Sequence, residues 1–164
     1  MKKILLMVFI CTFALLGCGK KDKPKGEIIA TDIQTIDPAG FDRIKAENKG
    51  KLVVINFFAS WCPPCKTETP DFVEVYNEYK DKNFTIIGIS IDDNKQDAIN
   101  FINDFGVTYP VYLSDMSLRK KYNVSKVPTN LLYSPDGELA QIIEGMISGP
   151  MLRRMAELAA GEVK

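Results

Sequence analysis

Apolar residues fall along this chain in two rhythms. Leu52-Val53-Val54-Ile55-Asn56-Phe57-Phe58 and the segment Phe84 to Ile91 are nearly continuous apolar runs, the form of strands covered on both faces of a sheet. After the first run, Phe72, Val75, Tyr76 and Tyr79 recur at i, i+3, i+4 and i+7. After the second, Ala98, Phe101, Ile102 and Phe105 repeat that spacing before Gly106 ends the helix. The pattern predicts strand, helix, strand, helix. Tyr109-Pro110-Val111-Tyr112-Leu113 is a short apolar segment, and Leu118 to Tyr122 belongs to a brief helix begun near Ser114 or Asp115. Thr129 to Tyr133 and Leu139 to Ile143 read as antiparallel strands joined through Ser134-Pro135-Asp136-Gly137. Pro150 to Ala160 is expected to be a helix capped near Ser148 or Gly149. Its Met151, Leu152, Met155, Leu158 and Ala159 would cover one face of the sheet. Ahead of these elements, a short strand is expected near Ile28 and a helix around Phe41 to Glu47. The sum is an α/β sandwich: a central mixed sheet with parallel βαβ units, a C-terminal antiparallel hairpin, and helices on both faces.

The first residues follow neither rhythm. Met1-Lys2-Lys3 precedes thirteen uncharged residues, Ile4 to Leu16, which is the layout of a secretory signal. The run is shorter than the ~20 residues a helix needs to span the hydrocarbon core. Leu15-Leu16-Gly17-Cys18 resembles the bacterial lipobox, although Leu16 is bulkier than is usual there. That resemblance implies removal of residues 1–17 and attachment of lipid to Cys18, whose several acyl chains would hold the protein stably on a membrane. An ordinary secretory signal and an uncleaved membrane segment are the alternatives. Residues 18–26 carry Lys20, Lys21, Lys23, Pro24 and Lys25, and read as a solvated tether. Residues 27–164 are then expected to form one folded domain.

Composition narrows the chemistry. The chain has 164 residues, 46% of them apolar, with 21 basic and 21 acidic side chains, four cysteines and no histidine. This suits a single hydrophobic core. Without histidine, Ser-His-Asp hydrolysis, Cys-His proteolysis and histidine-bound zinc are excluded. The charge balance supplies no basic field for phosphate backbones, so no nucleic-acid partner is expected.

Trp61-Cys62-Pro63-Pro64-Cys65 stands where the first strand passes into its helix. Two cysteines so spaced can bond to each other. Cys62 lies at the positive end of the helix, which favours a thiolate and makes it the expected nucleophile, with Cys65 as its resolving partner. Pro63 and Pro64 offer no N–H, so amides from Cys65 onward are the local donors. A metal site or a structural disulfide would also use such a pair. A four-sulfur site needs two further ligands, however, and Cys11 and Cys18 both belong to the N-terminal segment. No metal and no cofactor are expected.

Phe58-Ala59-Ser60-Trp61-Cys62-Pro63-Pro64-Cys65-Lys66 closely resembles the active-site segment of thioredoxin-like proteins, specifically the extracytoplasmic TlpA and ResA type thiol-disulfide oxidoreductases. The resemblance runs from about Glu27 to the final helix and implies a thioredoxin-like fold. Pro70 matches the family's helix proline. Val127-Pro128-Thr129 matches the loop in which a cis proline faces the cysteines, and the backbone of Val127 would pair with an extended substrate segment. Trp61, Pro63 and Pro64 would complete that docking surface; the plainer reading of Trp61 is core filler. Asn56 stands where thioredoxin proper has a buried aspartate. Glu68 matches a glutamate that the ResA type uses near its cysteines. If partly buried it would have a raised pKa and accept the Cys65 proton; otherwise it is a solvated helix residue.

The resemblance further implies a reductase of exported proteins bearing disulfides or dithiols, apocytochrome c among them, recharged by a membrane thiol-disulfide electron donor. A monomer is expected. A peroxiredoxin-like thiol peroxidase and a non-enzymatic surface binding module are the rival classes, although the usual peroxidase cysteine lies in a Thr-x-x-Cys setting. Asp92-Asp93-Asn94 is expected to supply an aspartate N-cap to the next helix rather than a cation site.

Overall fold

The computed structural model describes residues 30–163. The expected signal, Cys18, the tether and the strand near Ile28 lie outside the described residues. Within them, β1 (Thr35–Ile36), β2 (Leu52–Phe58), β3 (Phe84–Ser90), β4 (Val111–Ser114), β5 (Thr129–Tyr133) and β6 (Leu139–Glu144) form one sheet in the order β1-β4-β3-β2-β5-β6. The four strands from β1 to β2 are mutually parallel, whereas β5 and β6 run antiparallel to their neighbours. The helices are α1 (Pro38–Glu47), α2 (Pro63–Tyr79), α3 (Lys95–Phe105), α4 (Met116–Lys121) and α5 (Gly149–Ala160). This is the thioredoxin-like α/β fold. No helix among the described residues is long and apolar enough to cross a membrane.

Successive residues of a strand point to opposite faces, and β2 shows what each face meets. Phe57 stacks on Phe41 of α1 with ring centroids 6.5 Å apart, while Phe58 lies 4.8 Å from the ring of Phe101 on α3. Helices therefore cover both faces, which is why β2 and β3 read as nearly continuous apolar runs. The helix ends follow local chemistry. Asp37 caps α1 by accepting from the Gly40 N–H, Asp115 caps α4 by accepting from Leu118, and Gly106 closes α3 in the left-handed region.

Three expectations change. The helix expected from Phe41 begins at Pro38, because Asp37 supplies the cap and Pro38 the first-turn φ. The cap of α3 is Asn94, which accepts from the Gln96 N–H at 2.9 Å, and not an aspartate. Asp92 is drawn inward instead, by donors on Ser60 and Ser90. On α5 the covered stripe is Leu152, Met155, Ala156 and Ala159, with Leu152 and Ala156 fully buried, while Met151 and Leu158 are exposed. α5 packs against α2.

Candidate active site

β2 delivers the chain through Ala59-Ser60-Trp61 to Cys62, the N-cap of α2. The connection is held from outside the motif. The buried Asp92 carboxylate accepts from the Ser60 N–H at 3.0 Å, the Ser60 hydroxyl at 2.8 Å and the Ser90 hydroxyl at 2.8 Å. Pro63 and Pro64 occupy the first turn of α2, so the first amide available there is that of Cys65. It donates to Cys62 Sγ at 3.2 Å, and Cys62 and Cys65 are joined in a disulfide with Cα atoms 5.3 Å apart. A hydrogen-bond donor and the helix's positive end thus converge on the Cys62 sulfur, and each favours its thiolate in the reduced protein.

Both cysteines are recessed, at 2% and 1% exposure, whereas the adjoining Trp61 is 65% exposed. Trp61 is therefore not core filler. Pro63 is exposed and Pro64 half-buried. The antiparallel pairing of Phe57 with Thr129 carries Val127 and Pro128 past the same end of the sheet as Ala59 to Cys62. The Val127–Pro128 peptide is cis, with Val127 half-buried and Pro128 buried.

Glu68 lies one helical turn beyond Cys65 and is 3% exposed, on the inner side of α2. Its Oε1 accepts from Asn56 Nδ2 at 2.9 Å and its Oε2 from the Ile147 N–H at 3.1 Å. Burial outweighs these two donors and pushes the carboxyl up to about 7, so Glu68 exchanges a proton near neutrality. Burial, reinforced by the nearby Glu68 charge, also holds the Tyr109 phenol above its ordinary range. Pro70 sits inside α2 as expected.

Four further residues belong to this constellation although the sequence reading did not single them out as site residues. Asp92 anchors the approach to Cys62, as described. Asn130, fully buried on β5, accepts from Asn56 Nδ2 at 2.8 Å and donates to the Gly145 carbonyl at 3.1 Å. Gly145 in turn donates its N–H to the Pro128 carbonyl. Ile147 contributes its backbone N–H. The available signal was a lone amide interrupting each of two apolar strands, Asn56 in β2 and Asn130 in β5. Among the described residues no group of three or more His, Cys, Asp or Glu side chains is disposed to hold a metal ion.

Comparison with known proteins agrees with this chemistry. Residues 29–142 match the AhpC/TSA family. The chain is similar to the thiol-disulfide oxidoreductase ResA of Bacillus subtilis (strain 168), with 28% identity covering 90% of this chain and 86% of that protein. ResA of Geobacillus kaustophilus (strain HTA426) is 31% identical, covering 78% and 74% respectively. The crystal structure of a thiol:disulfide interchange protein of the thioredoxin family from Chlorobium tepidum TLS superposes with a TM-score of 0.66 at 31% identity, over 71% of this chain and 85% of that one. A bonded cysteine pair at the head of α2 is what such proteins need for exchange, and the chain belongs to the AhpC/TSA family as a thiol-disulfide oxidoreductase of thioredoxin-like fold.

Proposed function

We propose that the protein works as a reductase, passing two electrons from a Cys62–Cys65 dithiol to disulfides of exported proteins. The observation that carries this reading is the bonded pair at the start of α2, with the Cys65 N–H directed at Cys62 Sγ. In the reduced form Cys62 is the thiolate. It attacks one sulfur of a substrate disulfide; a mixed disulfide forms, the substrate S–S bond breaks, and its other sulfur departs as a thiolate. Cys65 then gives its proton to the Glu68 carboxylate and attacks Cys62 Sγ. The Cys62–Cys65 bond forms, the mixed disulfide breaks, and the departing substrate sulfur takes up a proton. A carboxyl titrating near 7 suits this exchange, because both of its forms are populated at neutral pH.

The substrate segment lies extended along the Val127 backbone beside Pro128, with Trp61, Pro63 and Pro64 as its apolar contact surface. Residues 1–17 export the chain, lipid on Cys18 holds it to a membrane through the tether 18–26, and the domain 27–164 works outside the cytoplasm. A membrane thiol-disulfide donor restores the dithiol, and apocytochrome c is one substrate.

Insulin reduction driven by a chemical dithiol, run beside peroxide consumption, tests the reaction class. Disulfide turnover supports the proposal, and turnover of peroxide alone overturns it. For direction, an equilibrium potential nearer thioredoxin's about −270 mV supports a reductase, and one nearer DsbA's about −120 mV an oxidase. The mass of the mature N-terminus tests lipid on Cys18.

A further inference from the structure

We propose that Asn130 is a positioning residue that fixes which end of the Asn56 carboxamide meets Glu68, and so sets the proton affinity of that carboxyl. The inference rests on the reading of Glu68 as the proton acceptor only for its catalytic consequence.

The argument starts at a group that cannot be reversed. The Gly145 carbonyl is an acceptor and nothing else, and Asn130 Nδ2 donates to it at 3.1 Å. That bond turns the Asn130 carbonyl oxygen the other way, toward Asn56, directly opposite it in the β2–β5 register. Facing an acceptor, Asn56 must present its NH₂ group. One N–H goes to Asn130 Oδ1 at 2.8 Å and the other to Glu68 Oε1 at 2.9 Å. Both donors of Asn56 are thereby committed, and the positive end of its dipole points at the carboxylate. Without the Asn130 acceptor, Asn56 is free to turn over and offer its own carbonyl to Glu68. A carbonyl there accepts from a protonated carboxyl and repels an ionised one.

The surroundings give this orientation unusual weight. Burial drives the Glu68 proton affinity upward, and only the Ile147 N–H and the Asn56 amide oppose it. Cys62 and Cys65 on the same helix are bonded and do not titrate, so the titratable group beside Glu68 is the Tyr109 phenol from the segment between α3 and β4. β2 and β5 bring neutral amides, and the segment before α5 brings a backbone N–H. No cation is among the groups that shift Glu68, so losing the Asn56 donor leaves the carboxylate with the Ile147 N–H alone. The same Gly145 joins the network to the loop carrying the cis proline, through its N–H to the Pro128 carbonyl.

The test is a direct titration of the Glu68 side-chain carboxyl by ¹³C NMR in the oxidised protein. Asn130→Leu, close in volume but without polar atoms, is expected to move the Glu68 midpoint upward by about one pH unit or more, a tenfold change in proton affinity. An unchanged midpoint in a folded Asn130→Leu protein overturns the inference. A measurement on the unmodified protein guards against a variant that does not fold. The Asn56 side-chain NH₂ signals are expected to follow the Glu68 titration and to exchange slowly with solvent, and signals indifferent to that titration overturn the inference equally. Kinetics separate the reading on which it rests. If Asn130→Leu moves the NMR midpoint but Glu68→Gln leaves the pH profile of mixed-disulfide resolution unaltered, Asn130 positions as proposed and Glu68 is not the proton acceptor.

Discussion

Replacing Glu68 with glutamine is expected to make the protein more stable in alkali and less stable in acid than its parent. The folded carboxyl titrates at about 7 against an ordinary 4.5, because burial penalises its charge. The native state then binds more protons than the unfolded chain between those two values, so native stability falls as pH rises from about 4.5 through 7. A difference of about 2.5 pH units, at 1.36 kcal/mol for each, amounts to about 3 kcal/mol lost by pH 8.5. Glutamine carries no such penalty. It keeps an oxygen for Asn56 Nδ2 but turns an NH₂ group toward the buried Ile147 N–H, at a cost of about 1–2 kcal/mol that does not depend on pH. Relative to the parent, Glu68→Gln should therefore be destabilised by about 1 kcal/mol at pH 4.5 and stabilised by about 1–2 kcal/mol at pH 8.5. Urea unfolding of both oxidised proteins across that range measures the difference, and titrations common to both cancel in it. A stability difference that stays constant from pH 4.5 to 8.5 would refute the claim that Glu68 is a buried, high-pKa carboxyl.

Cys62→Ser is expected to abolish disulfide reduction, whereas Cys65→Ser should still attack substrate and accumulate the mixed disulfide, detected by mass under non-reducing conditions. Asp92→Ala strips the acceptor from the Ser60 N–H and from two hydroxyls and should cost about 2–3 kcal/mol by urea unfolding, with Asp92→Asn losing less because it keeps one acceptor oxygen. Gly149→Ala drives a new Cβ into the Asp71 carboxylate at the start of α5 and should cost about 1 kcal/mol. Adding Asp71→Ala should recover that loss in a double-mutant cycle.

Those elements were legible in the sequence whose local pattern coincides with their environment. β2 and β3 are covered on both faces and read as apolar runs, and α3 buries the stripe its spacing announces. α5 departs from its pattern because Met151 and Leu158 outweigh Ala156 in hydrophobicity, although it is Ala156 that is buried. The cap of α3 could not be chosen locally. Asp92, Asp93 and Asn94 are all good cap residues, and Asp92 is withdrawn from that role by Ser60, 32 residues away in sequence.

The same division runs through the site. The cysteine pair is a local motif, and its electrostatics follow from its position at a helix start. The burial of Glu68 is not local, since its partners lie 12 and 79 residues away, and Asn56 meets Asn130 across 74. Each of these polar groups would by itself be costly inside an apolar layer. Together they satisfy one another, and no buried side-chain nitrogen or oxygen among the described residues lacks a partner. Mutual satisfaction explains how the network is tolerated but not why it is there, because apolar residues of similar volume would stabilise the fold at least as well. Under the proposed mechanism its position supplies the reason. The carboxyl at its centre lies one turn from Cys65, where a thiol must release a proton before it can attack, and a solvated glutamate would be almost wholly ionised at neutral pH and a weak base. Burial without a cation strengthens that base, and the Ile147 N–H and the Asn56 amide oppose it, leaving a carboxyl that titrates at about 7.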